Sequence, residues 1–194
     1  MRIILASTSI YRSKALKKIG VCFEVVPSSF NEKKIRCKRP SSLTKRLSFE
    51  KARDVCEKLK KVGEKKLVVI GGDSVGYYKG KILEKPKNKE EAFKMLMMLS
   101  GKKHYFYSGV TILKIENEKE SVFSTYDKNG VYFRKLSEDE VRVFVKKEPV
   151  EIWAGSYNLE VDEKKGYGFI RKVTGDRYNV WGIPIGKIRN MILA

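Results

Sequence analysis

Glutamine is absent from these 194 residues, histidine occurs once and cysteine three times. A lysine- and glutamate-bearing composition without glutamine leans toward heat-adapted proteins or AT-rich coding. The cysteines, Cys22, Cys37 and Cys56, are odd in number, and no two have zinc-ligand or redox-motif spacing. They read as reduced thiols of a cytosolic protein. Apolar runs long enough to span a bilayer are missing too. The opening Met1-Arg2-Ile3-Ile4-Leu5-Ala6 turns polar at once, too short for a signal peptide. A cytoplasmic protein with no membrane partner is expected. Repeats, low-complexity tracts and linkers are also lacking, so residues 1–194 are expected to form a single domain.

What is abundant is positive charge. Lys and Arg number 42 against 23 Asp and Glu, a formal net charge of +19, so the surface attracts polyanions. Nucleic acid, an anionic membrane and a phosphorylated small molecule are the candidate partners. The basic residues are scattered over every segment, with no basic arm at either end, which favours a generally solvated surface over a nucleic-acid stripe.

The stretch from Ile70 to Pro86 organises the rest. Lys65-Lys-Leu-Val-Val-Ile70 is an uninterrupted β-branched run and reads as a buried strand ending in a carboxylate at Asp73. Gly71 and Gly72 leave room for a backbone or ligand to approach that acid. A hairpin follows, with Val75, Tyr77 and Tyr78, a turn at Lys79-Gly80, and Ile82-Leu83 returning the chain to Lys85-Pro86. Folding it is expected to bring Lys85 back beside Asp73. Such a pair suits a metal and a phosphate, and equally an ordinary ion pair.

Upstream, a strand over Arg2 to Ala6 runs into Ser7-Thr8-Ser9 and a helical pattern stopped by Gly20. Ser7 or Ser9 is a good N-cap. The first-turn amides with the helix dipole make an anion seat that Arg12, three residues on from Ser9, can reach; a plain capped helix with a surface arginine is the alternative. A second strand is expected over Val21 to Pro27, then a polar loop containing Asn31 and Glu32. From Ser42 to about Val62, Leu43, Leu47, Val55 and Leu59 form an apolar row with Lys51 in its middle, so the ammonium either snorkels out or points into a cleft.

Downstream, Asn88 with Glu91, and Ser137 with Glu140, are capping-box starts of helices. His104 opens a strand running to Ile115, paired through a polar turn at Glu116 to Glu120 with a strand over Ser121 to Phe133. A lone histidine there is more often a hydrogen-bonded structural residue than a chemical one. Trp153-Ala-Gly-Ser-Tyr157 is a small-residue turn, Asn158 to Lys165 a charged run, Phe169 to Val173 a short strand, and Pro184 opens the final helix. The alternation predicts an α/β protein with a mixed sheet.

Taken together these stretches resemble the Maf family of nucleoside triphosphate pyrophosphatases, septum-formation-inhibitor-like proteins. The resemblance rests on Leu5-Ala-Ser-Thr-Ser9 with Arg12, Lys51-Ala52, Gly72-Asp73-Ser74, Lys85-Pro86, Ser100-Gly101 with His104, Leu136-Ser137-Glu138, Ala154-Gly-Ser-Tyr157, and Gly175-Asp176 through Asn179-Val180 to Gly182-Ile-Pro184, in that order. It implies a two-lobed mixed β-sheet flanked by helices with a central substrate cleft, a homodimer, and dependence on a divalent cation, Mg²⁺ or Mn²⁺. It further implies hydrolysis of a nucleoside triphosphate between the α and β phosphates. Asp73 with Glu32 would hold the metal, Ser7, Ser9 and Arg12 would seat the triphosphate, and Lys51 and Lys85 would neutralise its charge, as a reaction that builds negative charge on phosphoryl oxygens requires.

Departures bear on the base. Asn31 stands where many members carry a second acid, and Tyr11 where the dTTP/UTP-cleaving branch carries an arginine. Ser156-Tyr157-Asn158-Leu159-Glu160 replaces that branch's Tyr-Gly-Ile-Gln-Gly ending. Tyr11, Tyr157 and Glu160 look closer to the 7-methyl-GTP branch, because a carboxylate can accept from the guanine edge and an aromatic face can stack on a charged purine. The dTTP/UTP activity is the alternative within the family. From another class come a basic nucleic-acid-binding protein and, from the family's older name, a division regulator acting through protein contacts.

Overall fold

A computed structural model of the chain describes residues 1–116 and 119–193. Asn117 and Glu118, inside the turn expected at Glu116 to Glu120, lie outside the described residues. Strands β1 (Arg2–Leu5), β2 (Glu24–Val25), β3 (Lys66–Tyr78), β4 (Lys81–Leu83), β5 (Lys103–Glu116), β6 (Lys119–Phe133) and β7 (Ile170–Thr174) form a mixed sheet in the order β2-β1-β3-β5-β6-β7, with β4 paired to β3. The chain divides into two compact units: Met1–Asp73, Ser108–Asp127 and Trp181–Ala194, and then Ser74–Tyr107 with Lys128–Val180. Strands β3 (Lys66–Tyr78), β5 (Lys103–Glu116) and β6 (Lys119–Phe133) contribute residues to both.

In the first unit, β1 (Arg2–Leu5) pairs in parallel with β3, Arg2 opposite Leu67 through Leu5 opposite Ile70. The second strand, β2, shrinks to Glu24–Val25, parallel to Ile4–Leu5. Helix α1 (Ile10–Lys18) is capped by Ser9, and α2 (Pro40–Lys61) carries a proline in its first turn, where a missing N–H costs nothing. Helix α2 packs on the sheet through Val55 of the apolar row, joined by Ala52 and Cys56, against Ile4, Leu67, Val69, Leu113 and Ile115, with Leu59 partly buried on the same cluster. Helix α6 (Ile185–Leu193) starts directly after Pro184.

The second unit opens with the expected hairpin, β3 against β4 (Lys81–Leu83), Gly76 opposite Leu83 and Tyr78 opposite Lys81. Lys79 and Gly80 both have positive φ, 43° and 83°, the geometry of a two-residue turn whose twist matches its strands. Helix α3 (Lys89–Leu99) is capped by Asn88, and α4 (Glu138–Lys147) has a complete Ser137/Glu140 capping box. Strand β7 (Ile170–Thr174) runs antiparallel to β6, Gly130 opposite Thr174 and Tyr132 opposite Lys172. The charged run after Tyr157 is a helix, α5 (Leu159–Lys164), capped by Asn158 and burying Leu159, Glu160 and Asp162. Charge hid this element. The cap residue and the apolar positions Leu159 and Val161 were its available signals.

One expectation about the central strand is corrected. β3 does not end at Asp73 but runs on to Tyr78, so the acid sits mid-strand. The two glycines are demanded by packing. A Cβ on Gly71 would lie 2.0 Å from the Ser48 carbonyl of α2, and one on Gly72 would lie 2.9 Å from Arg12 Nε.

Candidate active site

The first unit holds seven of the expected site residues: Ser7, Ser9, Tyr11, Arg12, Glu32, Lys51 and Asp73. Lys51, from the apolar row of α2, turns its ammonium inward and donates to Asp73 Oδ1 at 2.7 Å, with Glu32 Oε1 at 3.0 Å. Lys51 is 9% exposed and Asp73 5%, so this pair is held away from water. Glu32 comes from a single 3₁₀ turn, Glu32–Lys34, capped by the Asn31 side chain. Asn31 therefore shapes the turn that presents Glu32.

Arg12 approaches from α1. Its Nη1 donates to Ser7 Oγ at 2.8 Å and its Nε to the Gly182 carbonyl at 2.9 Å. Ser7 Oγ also accepts from the Ser9 amide, and Ser9 Oγ from the Arg12 amide, so the hydroxyl turn and the arginine are one hydrogen-bonded unit. The Gly182 carbonyl is a contact that reasoning from residue types did not supply, since any residue has a carbonyl. Tyr11 is half-buried on the same helix, with Lys14 Nζ 5.5 Å from its ring centroid.

Electrostatics follow from this packing. Burial pushes the Asp73 carboxyl above its ordinary range, against the opposing pull of Lys51 and Arg12, while neighbouring Glu32 adds to the rise. Burial also draws the Arg12 guanidinium down, offset by Asp73 and Glu32. Two cations balance two carboxylates here, and a triphosphate tetra-anion needs more positive charge than that. Asp73 Oδ2 is buried and accepts no hydrogen bond among the described residues. An unmatched buried oxygen beside a second carboxylate fits a hard divalent cation that takes the rest of its shell from water and phosphate. No cluster of three or more His, Cys, Asp or Glu residues suited to a metal occurs among the described residues, so these two carboxylates are the donors the chain offers here.

The remaining expected residues lie in the second unit. The hairpin ladder ends at Leu83, two residues before Lys85, whose side chain is exposed. Tyr157 is corrected. Its ring is buried, in edge-to-face contact with His104, Phe106 and Phe133, and its hydroxyl is 2.9 Å from His104 Nε2, so it offers no open face for a base. His104 is accordingly the structural histidine expected. Glu160, 9% exposed, forms an ion pair with Lys164 one turn on.

Compared with known proteins, the chain matches the family described as Maf-like protein over residues 2–194. Among curated relatives, the dTTP/UTP pyrophosphatase of Clostridium tetani is 37% identical, covering 97% of this chain and 94% of that protein. Those of Bacillus anthracis and Caldicellulosiruptor bescii are 37% and 34% identical, over 96% and 98% of this chain and 92% and 93% of their own lengths. A nucleoside-triphosphatase/dITP/XTP pyrophosphatase from Mycobacterium abscessus aligns with 68% of this chain and 73% of its own, at 19% identity and a TM-score of 0.37. The curated relatives carry the name of the pyrimidine branch, which the residues around Glu160 had set second, and lend no support to a lean toward 7-methyl-GTP.

Proposed function

This chain belongs to the Maf family, and from that premise we propose that it is a nucleoside triphosphate pyrophosphatase that splits dTTP and UTP into the monophosphate and pyrophosphate. The observation that carries the reading is the buried Lys51–Asp73 pair with Glu32 against it and, in the same unit, the Arg12–Ser7–Ser9 turn. Such a cluster suits a reaction whose transition state spreads negative charge over phosphoryl oxygens and asks for placed cations more than for covalent chemistry.

In this proposal Asp73 and Glu32 would hold a divalent cation, which when bound polarises phosphoryl oxygens. Ser7, Ser9 and Arg12 seat the phosphate tail, with Arg12 oriented by the Gly182 carbonyl and the Ser7 hydroxyl. Lys51, beside Asp73 and Glu32, would neutralise charge on the tail. Lys85 is retained as a further cation on the strength of the family motif, and Tyr11 as a neighbour of the arginine. Glu160 is not assigned to the base, because a pyrimidine lacks the guanine edge it would recognise and its carboxylate is engaged by Lys164. We further propose a cytoplasmic location, where nucleoside triphosphates are made, and the homodimer implied by the family. No helix among the described residues is long and apolar enough to cross a membrane.

The test is pyrophosphate release from dTTP, UTP and 7-methyl-GTP with Mg²⁺, for the wild type and Asp73→Asn. Pyrimidine nucleotides should turn over faster than 7-methyl-GTP, and the variant should lose about a hundredfold or more in rate. Equal rates in the two proteins would remove the mechanism, and preference for 7-methyl-GTP would restore the other branch.

A further inference from the structure

Three lysines distant in sequence, Lys103, Lys128 and Lys172, come together beside two tyrosine rings on one sheet face of the second unit. Side chains alternate along β5 and β6. One set, His104, Phe106 and Phe133, packs inward against Tyr157. The other set faces outward. Lys103 Nζ lies 5.3 Å from the Tyr105 ring centroid on its own strand and 5.1 Å from that of Tyr132 on β6. Lys128 Nζ is 4.8 Å from the Tyr105 centroid, and Lys172 Nζ, directly across from Tyr132 on β7, is 5.9 Å from the Tyr132 centroid. The three lysines are exposed and the two tyrosines half-exposed.

We propose that this face binds single-stranded nucleic acid, independently of any nucleotide hydrolysis. Two tyrosine rings on neighbouring positions of a sheet, with three ammonium groups on flexible stems around them, form a stacking platform inside a positive field. The ammonium groups beside the rings supply charge for phosphates while the rings supply faces for bases. A second copy of the same face is disfavoured, because three lysines would meet three lysines. A duplex keeps its bases stacked on one another and leaves the rings unused.

Fluorescence anisotropy with a labelled oligothymidylate and with a duplex of equal length tests this on the full chain. The single strand should bind more tightly than the duplex. Its affinity should fall with salt, and Lys103→Gln/Lys128→Gln/Lys172→Gln should reduce the slope by about 2, from three phosphate contacts at about 0.7 each. Tyr105→Ala/Tyr132→Ala, which leaves the charge unchanged, should weaken binding about tenfold or more. A charge-matched control, Lys79→Gln/Lys94→Gln/Lys147→Gln, takes three exposed lysines from elsewhere and should weaken it less. The proposal is overturned by equal loss from the two lysine triples, by preference for the duplex, by an unaffected Tyr105/Tyr132 variant, or by displacement of the oligonucleotide with an equimolar nucleoside triphosphate.

Discussion

Acid titration weighs the core around His104. The imidazole is 1% exposed, its Nε2 meets the Tyr157 hydroxyl, and its Nδ1 has no hydrogen-bond partner among the described residues. Burial alone draws its pKa from 6.5 to about 4, so the folded protein holds it neutral. In the unfolded chain it protonates near its ordinary value. Between these two pH values the unfolded state binds more protons, and stability must fall as pH falls. The loss begins near pH 6.5, grows to about pH 4 and is flat below, where both states carry the proton. The gap, 6.5 − 4 = 2.5 units, corresponds at 1.36 kcal/mol per unit to about 3 kcal/mol, most of it expressed by about pH 4.5. Urea unfolding of the wild type and His104→Gln, followed by tryptophan fluorescence, isolates this contribution because every other titrating group cancels in the difference. The variant starts less stable at pH 7.5, and its deficit should shrink by about 2 to 3 kcal/mol at pH 4.5. A deficit that stays constant to within about 0.5 kcal/mol would mean that His104 is not held neutral, and the account of this core would be wrong.

The sequence carried some of these features openly and withheld others for physical reasons. Helix starts were legible because capping is local chemistry: Ser9, Asn88 and Ser137 each accept from an amide three residues on. The β3–β4 turn was legible because a Lys-Gly pair between Tyr77-Tyr78 and Ile82-Leu83 has few other uses. The length of β3 was not, because a carboxylate after an apolar run looks like a strand end; Gly71 and Gly72 were legible as room for a close approach, but not that α2 and Arg12 make it. That is tertiary information. The same holds for the site. The spacing of α2 put Lys51 on the apolar row but could not say which way the ammonium turned, and the Asp73 and Glu32 carboxylates settle it. Tyr157 was misread for the converse reason, because an aromatic beside a polar motif looks like a platform until its neighbours His104, Phe106 and Phe133 are known.

Two further outcomes test the packing of the first unit. Gly71→Ala would place a Cβ 2.0 Å from a backbone oxygen and 3.0 Å from the Ala52 Cβ, so it should destabilise by about 3 kcal/mol or more in urea unfolding; a loss below about 1 kcal/mol would show that α2 is free to retreat. Lys51→Met removes the cation and leaves a carboxylate 5% exposed beside Glu32, which should cost about 3 to 5 kcal/mol at pH 7.5. The sign of its pH dependence follows. Without Lys51 the folded Asp73 carboxyl is raised further above its unfolded value, so the penalty is present at high pH and relieved as pH falls and the group protonates. Lys51→Met/Asp73→Asn should therefore be more stable than Lys51→Met alone at pH 7.5 while remaining inactive, because the charge that made the single change costly is gone. A double variant no more stable than the single one would mean that the cost lies in the packing of the Lys51 stem, and the reading of the pair as a buried, mutually dependent unit would fail.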